Sequence, residues 1–205
     1  MWHREEGLDF SRCHTVNLDE YCGLTPEDPQ SYAYFMRENL FDHINIPLEN
    51  TNIPDGTNRD AEKECARYDE VIRRLGGTDI QVLGIGRNGH VAFNEPADSF
   101  VPETHQVRLT EDTIEANSRF FEDSSQVPRS AYTMGMRGIM SSRTALMVAG
   151  GRGKAQALWD SFFEPVTPRV PASLLQLHPD MILVADEAAL SLILERRPDA
   201  VLKCG

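Results

Sequence analysis

The chain has 205 residues, of which 40% are apolar, and carries a formal net charge of −12 at pH 7. That length buries a core as one ordinary domain, and with no apolar run long enough to span a bilayer, a helical membrane protein is excluded. The acidic balance, without any basic stripe, likewise excludes a protein built to grip the phosphate backbone of a nucleic acid.

Residues 1–12 read as the tail of a helix and a connector, broken at Gly7 before a strand at about His14–Leu18. Asp19 would then sit at that strand's carboxyl end. Thr25-Pro26-Glu27-Asp28-Pro29 is a turn, followed by a helix that ends near Phe41. Residues Ile46–Asn58, with prolines, Asp55-Gly56 and several asparagines, read as a surface loop. From about Arg59, Ala61, Cys65, Tyr68, Ile72 and Leu75 mark one helical face, and Gly76-Gly77 ends that helix.

A strand over Asp79–Gly84 comes next. Thr110-Glu111-Asp112 is a helix start, where early acids favour the dipole. The polar, proline-containing segment after Phe121 reads as a mobile flap. Strand Thr144–Ala149 runs into Gly150-Gly151-Arg152-Gly153-Lys154 and a helix carrying Ala157, Leu158 and Phe162. A short helix (Ala172–Leu177), a strand (Met181–Ala185) and a helix to about Leu194 follow. This alternation predicts the α/β class. The expected architecture is a doubly wound, mostly parallel, Rossmann-like sheet with helices on both faces, in a single domain over residues 1–205.

Cys13, Cys22, Cys65 and Cys204 are scattered, with no C-x-x-C pair and no histidine spacing for zinc. They read as reduced thiols of a cytoplasmic protein, and the polar, charged first residues are no signal peptide. No metal-ligand cluster is present and no cofactor is implied.

Chemistry concentrates in Leu83-Gly84-Ile85-Gly86-Arg87-Asn88-Gly89-His90-Val91-Ala92-Phe93-Asn94-Glu95-Pro96. A β-branched run leads into glycines, and then a histidine and a carboxylate stand five residues apart. In α/β chains, ligands gather where parallel strands open into loops at their carboxyl ends. The glycines permit sharp turning and close approach of the backbone. His90 suits proton transfer near neutrality, and Glu95 could orient it or titrate with it. Taken alone, the stretch is equally a strand exit bearing an ordinary surface histidine.

Read together with Asn17-Leu18-Asp19-Glu20-Tyr21, the stretch resembles the glucosamine-6-phosphate deaminase family. The likeness continues through Ser118-Arg119-Phe120-Phe121, Thr133-Met134-Gly135, the Gly151-to-Ala155 turn and Leu175-Gln176-Leu177-His178, and so covers nearly the whole chain. The resemblance implies deamination and isomerisation of glucosamine 6-phosphate, with water, to fructose 6-phosphate and ammonia in amino-sugar catabolism. It implies that His90, assisted by Glu95, opens the sugar ring, and that Asp19 removes the C2 proton. Glu20 is either solvated or hydrogen-bonded support. Asn88 stands where many members carry aspartate; it can orient an imidazole by hydrogen bonding but adds no charge, so Glu95 is expected to carry the electrostatic load. Lys154 and Arg119 match the cations expected to bind the phosphate. Phe121 and its neighbours resemble the active-site lid.

Two departures from the family pattern carry expectations of their own. The family's first strand and phosphate loop, upstream of the helix preceding Asn17-Leu18-Asp19-Glu20-Tyr21, are not in these 205 residues, so an N-terminally incomplete domain is expected, with apolar edges exposed on the missing strand's neighbours. The positions that bind an N-acetylglucosamine 6-phosphate activator in allosteric members read Asp98, His105 and Val107 here, which argues against that regulation. The implied partner is a small-molecule sugar phosphate, with no nucleic acid and no membrane, and a homo-oligomer stays open. The alternatives are an inactive truncated homologue that binds sugar phosphates, and a 6-phosphogluconolactonase-type hydrolase. That relative shares a glycine–histidine loop, but Phe93-Asn94-Glu95-Pro96 speaks against it.

Overall fold

The computed structural model describes residues 2–118, 121, 123 and 126–202. The chain divides into two compact units, each assembled from separate stretches of sequence: 1–75 with 104–133, and 76–103 with 134–205.

In the first unit, α1 (Trp2–Glu6) ends at Gly7, whose φ of 72° only glycine adopts freely. Strand β1 (Thr15–Val16) pairs in parallel with β3 (Thr51–Asn52). The Ile46–Asn58 segment is therefore not wholly a surface loop: it supplies a strand, buries Ile46, and lays Gly56 against the Tyr21 carbonyl, where no Cβ fits. Strand β2 (Asp19–Tyr21) begins at Asp19, so Asp19 opens a second strand instead of closing the first.

Helix α2 (Tyr32–Asn39) is capped by the Ser31 hydroxyl, which accepts from the Tyr34 amide at 3.0 Å. Helix α3 (Ala61–Arg74) is capped by Asp60, accepting from the Lys63 amide. Its inner face holds Tyr68 and Ile72 as expected, and also Glu64. That buried carboxylate accepts from Arg67 at 2.6 and 2.8 Å and from the Asp55 amide at 2.7 Å, so its lone pairs are satisfied. Gly76 and Gly77, both at positive φ, close the helix.

Two further strands lack a legible sequence signal. β5 (His105–Arg108) and β6 (Ser130–Thr133) complete an antiparallel sheet of order β2-β6-β5. Helix α4 (Glu111–Ser118) stands between them in the chain. Residues 122, 124 and 125 of the expected flap lie outside the described residues, as does Arg119, although Phe121 is described and meets Tyr21 edge-on at 6.1 Å.

The second unit holds a parallel sheet of order β4-β7-β8, formed by Ile80–Leu83, Thr144–Ala149 and Met181–Ala185. These strands match the sequence expectation closely because each is an apolar, β-branched run. One face buries Leu83, Ala145, Met147 and Ala149. Helix α6 (Ala155–Phe162) packs against both the 3-10 helix Pro171–Leu177 and α7 (Ser191–Arg196). Where alternation led to helices on both faces, the other face presents Ile80, Val82, Val148, Ile182 and Val184, each 45–62% exposed among the described residues. With three parallel and two antiparallel strand pairings among the described residues, the chain is α/β and mostly parallel.

Gly135 precedes α5 (Met136–Met140), and a Cβ there would be driven into the carbonyl oxygens of Glu103 and Pro102. Those neighbours are backbone held by Met136 and Arg137 amides bonding Val101 and Pro102 at 2.9 Å, and cannot step aside. Gly135→Ala is therefore expected to destabilise the fold by about 3 kcal/mol, lowering the melting temperature by about 10 °C. An unchanged melting curve would refute that reading of the contact.

Among the described residues no helix is long and apolar enough to cross a membrane, and no cluster of histidine, cysteine and carboxylate side chains fits a metal ion. Cys13, Cys22 and Cys65 are free thiols; Cys204 lies outside the described residues.

Candidate active site

In the second unit β4 runs directly into the glycine loop. The Gly86 amide donates to the His90 carbonyl at 2.9 Å and the Gly89 amide to the Gly86 carbonyl at 3.1 Å, closing a tight turn. Gly89 sits at φ 79°, and a Cβ on it would also meet Val170 Cγ1 at 2.6 Å. Gly86 serves a different purpose: a Cβ there would lie 2.5 Å from both ring nitrogens of His90. The imidazole thus lies flat on the one residue of the loop whose missing side chain makes room for it. The close approach expected of these glycines is made here by the histidine.

Asn88 holds both His90 and Glu95. Its Oδ1 accepts from the His90 amide at 3.1 Å and its Nδ2 donates to Glu95 Oε2 at 2.9 Å. His90 Nδ1 lies 3.3 Å from the same Glu95 oxygen, an ionic distance without hydrogen-bond alignment. Nδ1 therefore faces the carboxylate, and Nε2 is the nitrogen placed to exchange a proton with a ligand. Both side chains are largely buried, which strengthens their mutual attraction.

Asn94 staples the return of the loop. Its Nδ2 donates to the Val91 and Met134 carbonyls at 3.0 and 2.9 Å, across a turn in which Ala92 adopts φ 53°. The Ala172 amide donates to the Gly89 carbonyl at 2.9 Å, tying the loop to the next segment. Neither anchor stands out in the sequence, although Asn94 lies within the motif.

Lys154 closes the 3-10 turn Arg152–Lys154 at the exit of β7, and its Nζ donates to the Ile85 carbonyl at 2.5 Å. The structure thus brings Lys154 to the same loop as His90. The Gly151 amide at the head of this turn is already committed to Asp186, which accepts it at 2.9 and 3.1 Å and also accepts the Ala189 amide at 2.7 Å.

Asp19 belongs to the first unit, on β2, opposite the fully buried Thr133. Tyr68 donates from its hydroxyl to the Asn17 and Asn52 carbonyls at 2.6 and 3.1 Å, fixing the backbone just before Asp19. Glu20 is buried support: its carboxylate accepts from the Tyr21, Tyr32 and Ala33 amides at 2.8, 3.0 and 2.8 Å, capping α2 from outside the helix. The Tyr21 and Tyr32 rings stack at 5.2 Å. Asp19 keeps some contact with the surface, yet its carboxyl is ringed by protein atoms. Burial first, and the Glu20 charge second, push it up to about 7. A carboxylate so raised is a competent base at neutral pH.

Residues 1–183 match the family described as glucosamine-6-phosphate isomerases/6-phosphogluconolactonase. Over 183 residues the chain is 54% identical to a glucosamine-6-phosphate deaminase of Lachnoclostridium phytofermentans, covering 89% of this chain and 78% of that protein. It is 50% identical over 203 residues to one of Thermoanaerobacter pseudethanolicus, covering 99% and 78%. A solved structure described as a monomeric glucosamine-6-phosphate deaminase superimposes with a TM-score of 0.91 at 44% identity, over 93% of this chain and 79% of that one. A 6-phosphogluconolactonase of Thermotoga maritima superimposes with a TM-score of 0.67 at 22% identity, over 87% and 75%, and shares the fold. The glycine-seated histidine, its asparagine-held glutamate and a match spanning most of the sequence together make this chain a member of the glucosamine-6-phosphate isomerase/6-phosphogluconolactonase family.

Proposed function

We propose that the chain is an enzyme converting glucosamine 6-phosphate and water to fructose 6-phosphate and ammonia, as part of amino-sugar breakdown. The observation that carries this reading is the His90–Glu95 pair, held by Asn88 over Gly86. Relatives about half identical to the chain carry the deaminase name.

His90 takes the proton of the anomeric hydroxyl while the ring oxygen is protonated, and the pyranose opens to an aldehyde. Asp19 then removes the C2 proton, giving an enolamine. Return of a proton to C1 leaves an imine at C2, to which water adds and from which ammonia departs. The net reaction consumes water, but its carbon chemistry is an isomerisation. Glu95 faces the Nδ1 side of His90 and holds the ring with Nε2 toward the substrate through each proton exchange. Lys154 binds the substrate phosphate, and Arg119 joins it on the strength of the sequence resemblance alone. No step requires a metal or a cofactor. A cytoplasmic location accords with this chemistry.

The test is ammonia release from glucosamine 6-phosphate by a sample that melts cooperatively, with 6-phosphogluconolactone offered in parallel. Ammonia and fructose 6-phosphate in equal amounts support the proposal. A folded sample that binds the sugar phosphate without turnover would make the chain a binding protein, and lactone hydrolysis alone would move it to the hydrolase branch.

The two residues beside His90 should separate in their effects. Glu95→Gln removes the charge facing Nδ1 and is expected to lower kcat by about 10²–10³-fold, whereas Asn88→Ala removes only positioning and costs about tenfold. Equal losses in the two variants would contradict the view that Glu95 carries the electrostatic load.

A further inference from the structure

Strands β4 and β7 are adjacent and parallel, in register from Ile80 with Thr144 to Leu83 with Met147. Their carboxyl ends therefore release two glycine-rich loops side by side, Gly84–Gly89 and Gly150–Lys154, which is where an open α/β sheet offers a ligand crevice. Each loop sends one cation onto the other. Lys154 Nζ reaches back to the Ile85 carbonyl. Arg87 reaches the opposite way, so that its Nε lies 3.5 Å from the Cβ position of Gly153.

Arg87 is exposed, and no carboxylate pairs with it or with the exposed Arg152 among the described residues. In a chain with 32 acidic and 20 basic residues, nine arginines are in ion pairs among the described residues, while others, such as Arg196, are not. Elsewhere in this unit Arg137, Arg143 and Arg169 are paired with Glu103, Asp79 and Asp98. An unpaired guanidinium beside a glycine turn presents a planar fork suited to two phosphate oxygens.

We propose that Arg87 is a phosphate-binding residue that determines specificity for a phosphomonoester, gripping it opposite Lys154 across the two loops. This rests on the sugar-phosphate reading above and adds to it a cation that the sequence motif leaves unassigned. The phosphate is held by one flexible ammonium and one rigid fork, on two loops that share a crevice. The Gly151 amide, committed to Asp186, takes no part.

The test compares the whole chain with Arg87→Gln and Arg87→Lys in two assays. Calorimetry with inorganic phosphate reads the anion site without turnover, and steady-state ammonia release reads KM apart from kcat. Arg87→Gln is expected to weaken phosphate binding and raise KM for glucosamine 6-phosphate about tenfold or more, with kcat within about threefold. Arg87→Lys should fall between, since it restores the charge but not the fork. Phosphate affinity and KM unchanged in Arg87→Gln would overturn the proposal while leaving the deaminase reading intact. Arg87-dependent phosphate binding without ammonia release would uphold this site and sink the deaminase reading instead. Because Arg87 is exposed and unpaired, its replacement leaves the melting temperature unaltered, so a loss of binding is read as a loss of contact.

Discussion

Asp19→Asn is expected to abolish deamination, lowering kcat by about 10³–10⁴-fold, and at the same time to stabilise the protein at alkaline pH. Both effects come from one observation, a carboxyl pushed up to about 7 by burial and by the neighbouring Glu20 charge. The sign follows from proton counting. Between the ordinary value of 3.8 and about 7, the folded chain holds a proton at Asp19 that the unfolded chain has released. Stability therefore falls as pH rises through that window, and the whole cost is present above about pH 7. The amide cannot ionise, so the variant escapes the cost; its advantage grows from about pH 4 to about pH 7 and then levels off at about 4 kcal/mol. For the wild type, kcat/KM should drop tenfold per pH unit below about 7, because the base acts only when ionised. Thermal melts across pH 4–9 beside the rate profile check both. A variant that is inactive but no more stable at pH 8 would mean that Asp19 is not a strained, desolvated base.

Gly86→Ala is expected to cost about 10²-fold in kcat with the fold intact. The backbone of Gly86 does not need the left-handed region, so alanine is tolerated there conformationally. Its methyl group, however, takes the space occupied by the His90 ring, 2.5 Å from both nitrogens. The imidazole must swing away, and Nδ1 then loses its 3.3 Å approach to Glu95. A displacement of about 1 Å at a proton-transfer group is enough for a loss of that size. Rate measurements beside a melting curve separate this from unfolding, and activity within threefold of wild type would show that the ring has another seat. Gly89→Ala makes the control on the same loop. It is strained at φ 79° and by Val170, so its penalty should appear in stability first.

How much of this was legible differs from residue to residue. The strands Ile80–Leu83, Thr144–Ala149 and Met181–Ala185 could be read directly, because a parallel strand buried on at least one face must be a short run of branched apolar side chains. The helix Ala61–Arg74 was equally plain, from its 3.6-residue periodicity and its Gly76-Gly77 stop. Asn88, His90 and Glu95 were legible as a group through the resemblance of their motif to the family's, and the structure closes the Asn88–Glu95 contact across that eight-residue stretch. Lys154 was placed correctly from local sequence, at a glycine turn after a strand.

Tertiary structure alone decided the rest. His105–Arg108 and Ser130–Thr133 carry no apolar run; they are strands because each finds a partner, with Tyr132 lying between Glu20 and Gln106 in register. The short strand Thr51–Asn52 exists only because Thr15–Val16 lies beside it. Glu20 was undecided between solvent and support until α2 presented two amide hydrogens to it, from twelve and thirteen residues on, beside that of the adjacent Tyr21. The same is true of the site's acidity. In sequence Asp19 is one carboxylate among 32 acidic side chains, and only the protein packed around it raises its pKa. Sequence determined the local covalent order of glycine, histidine and carboxylate, since turn and strand preferences act over a few residues. The desolvation that raises the Asp19 carboxyl depends on chain segments far apart in sequence, and that is settled only when the chain folds.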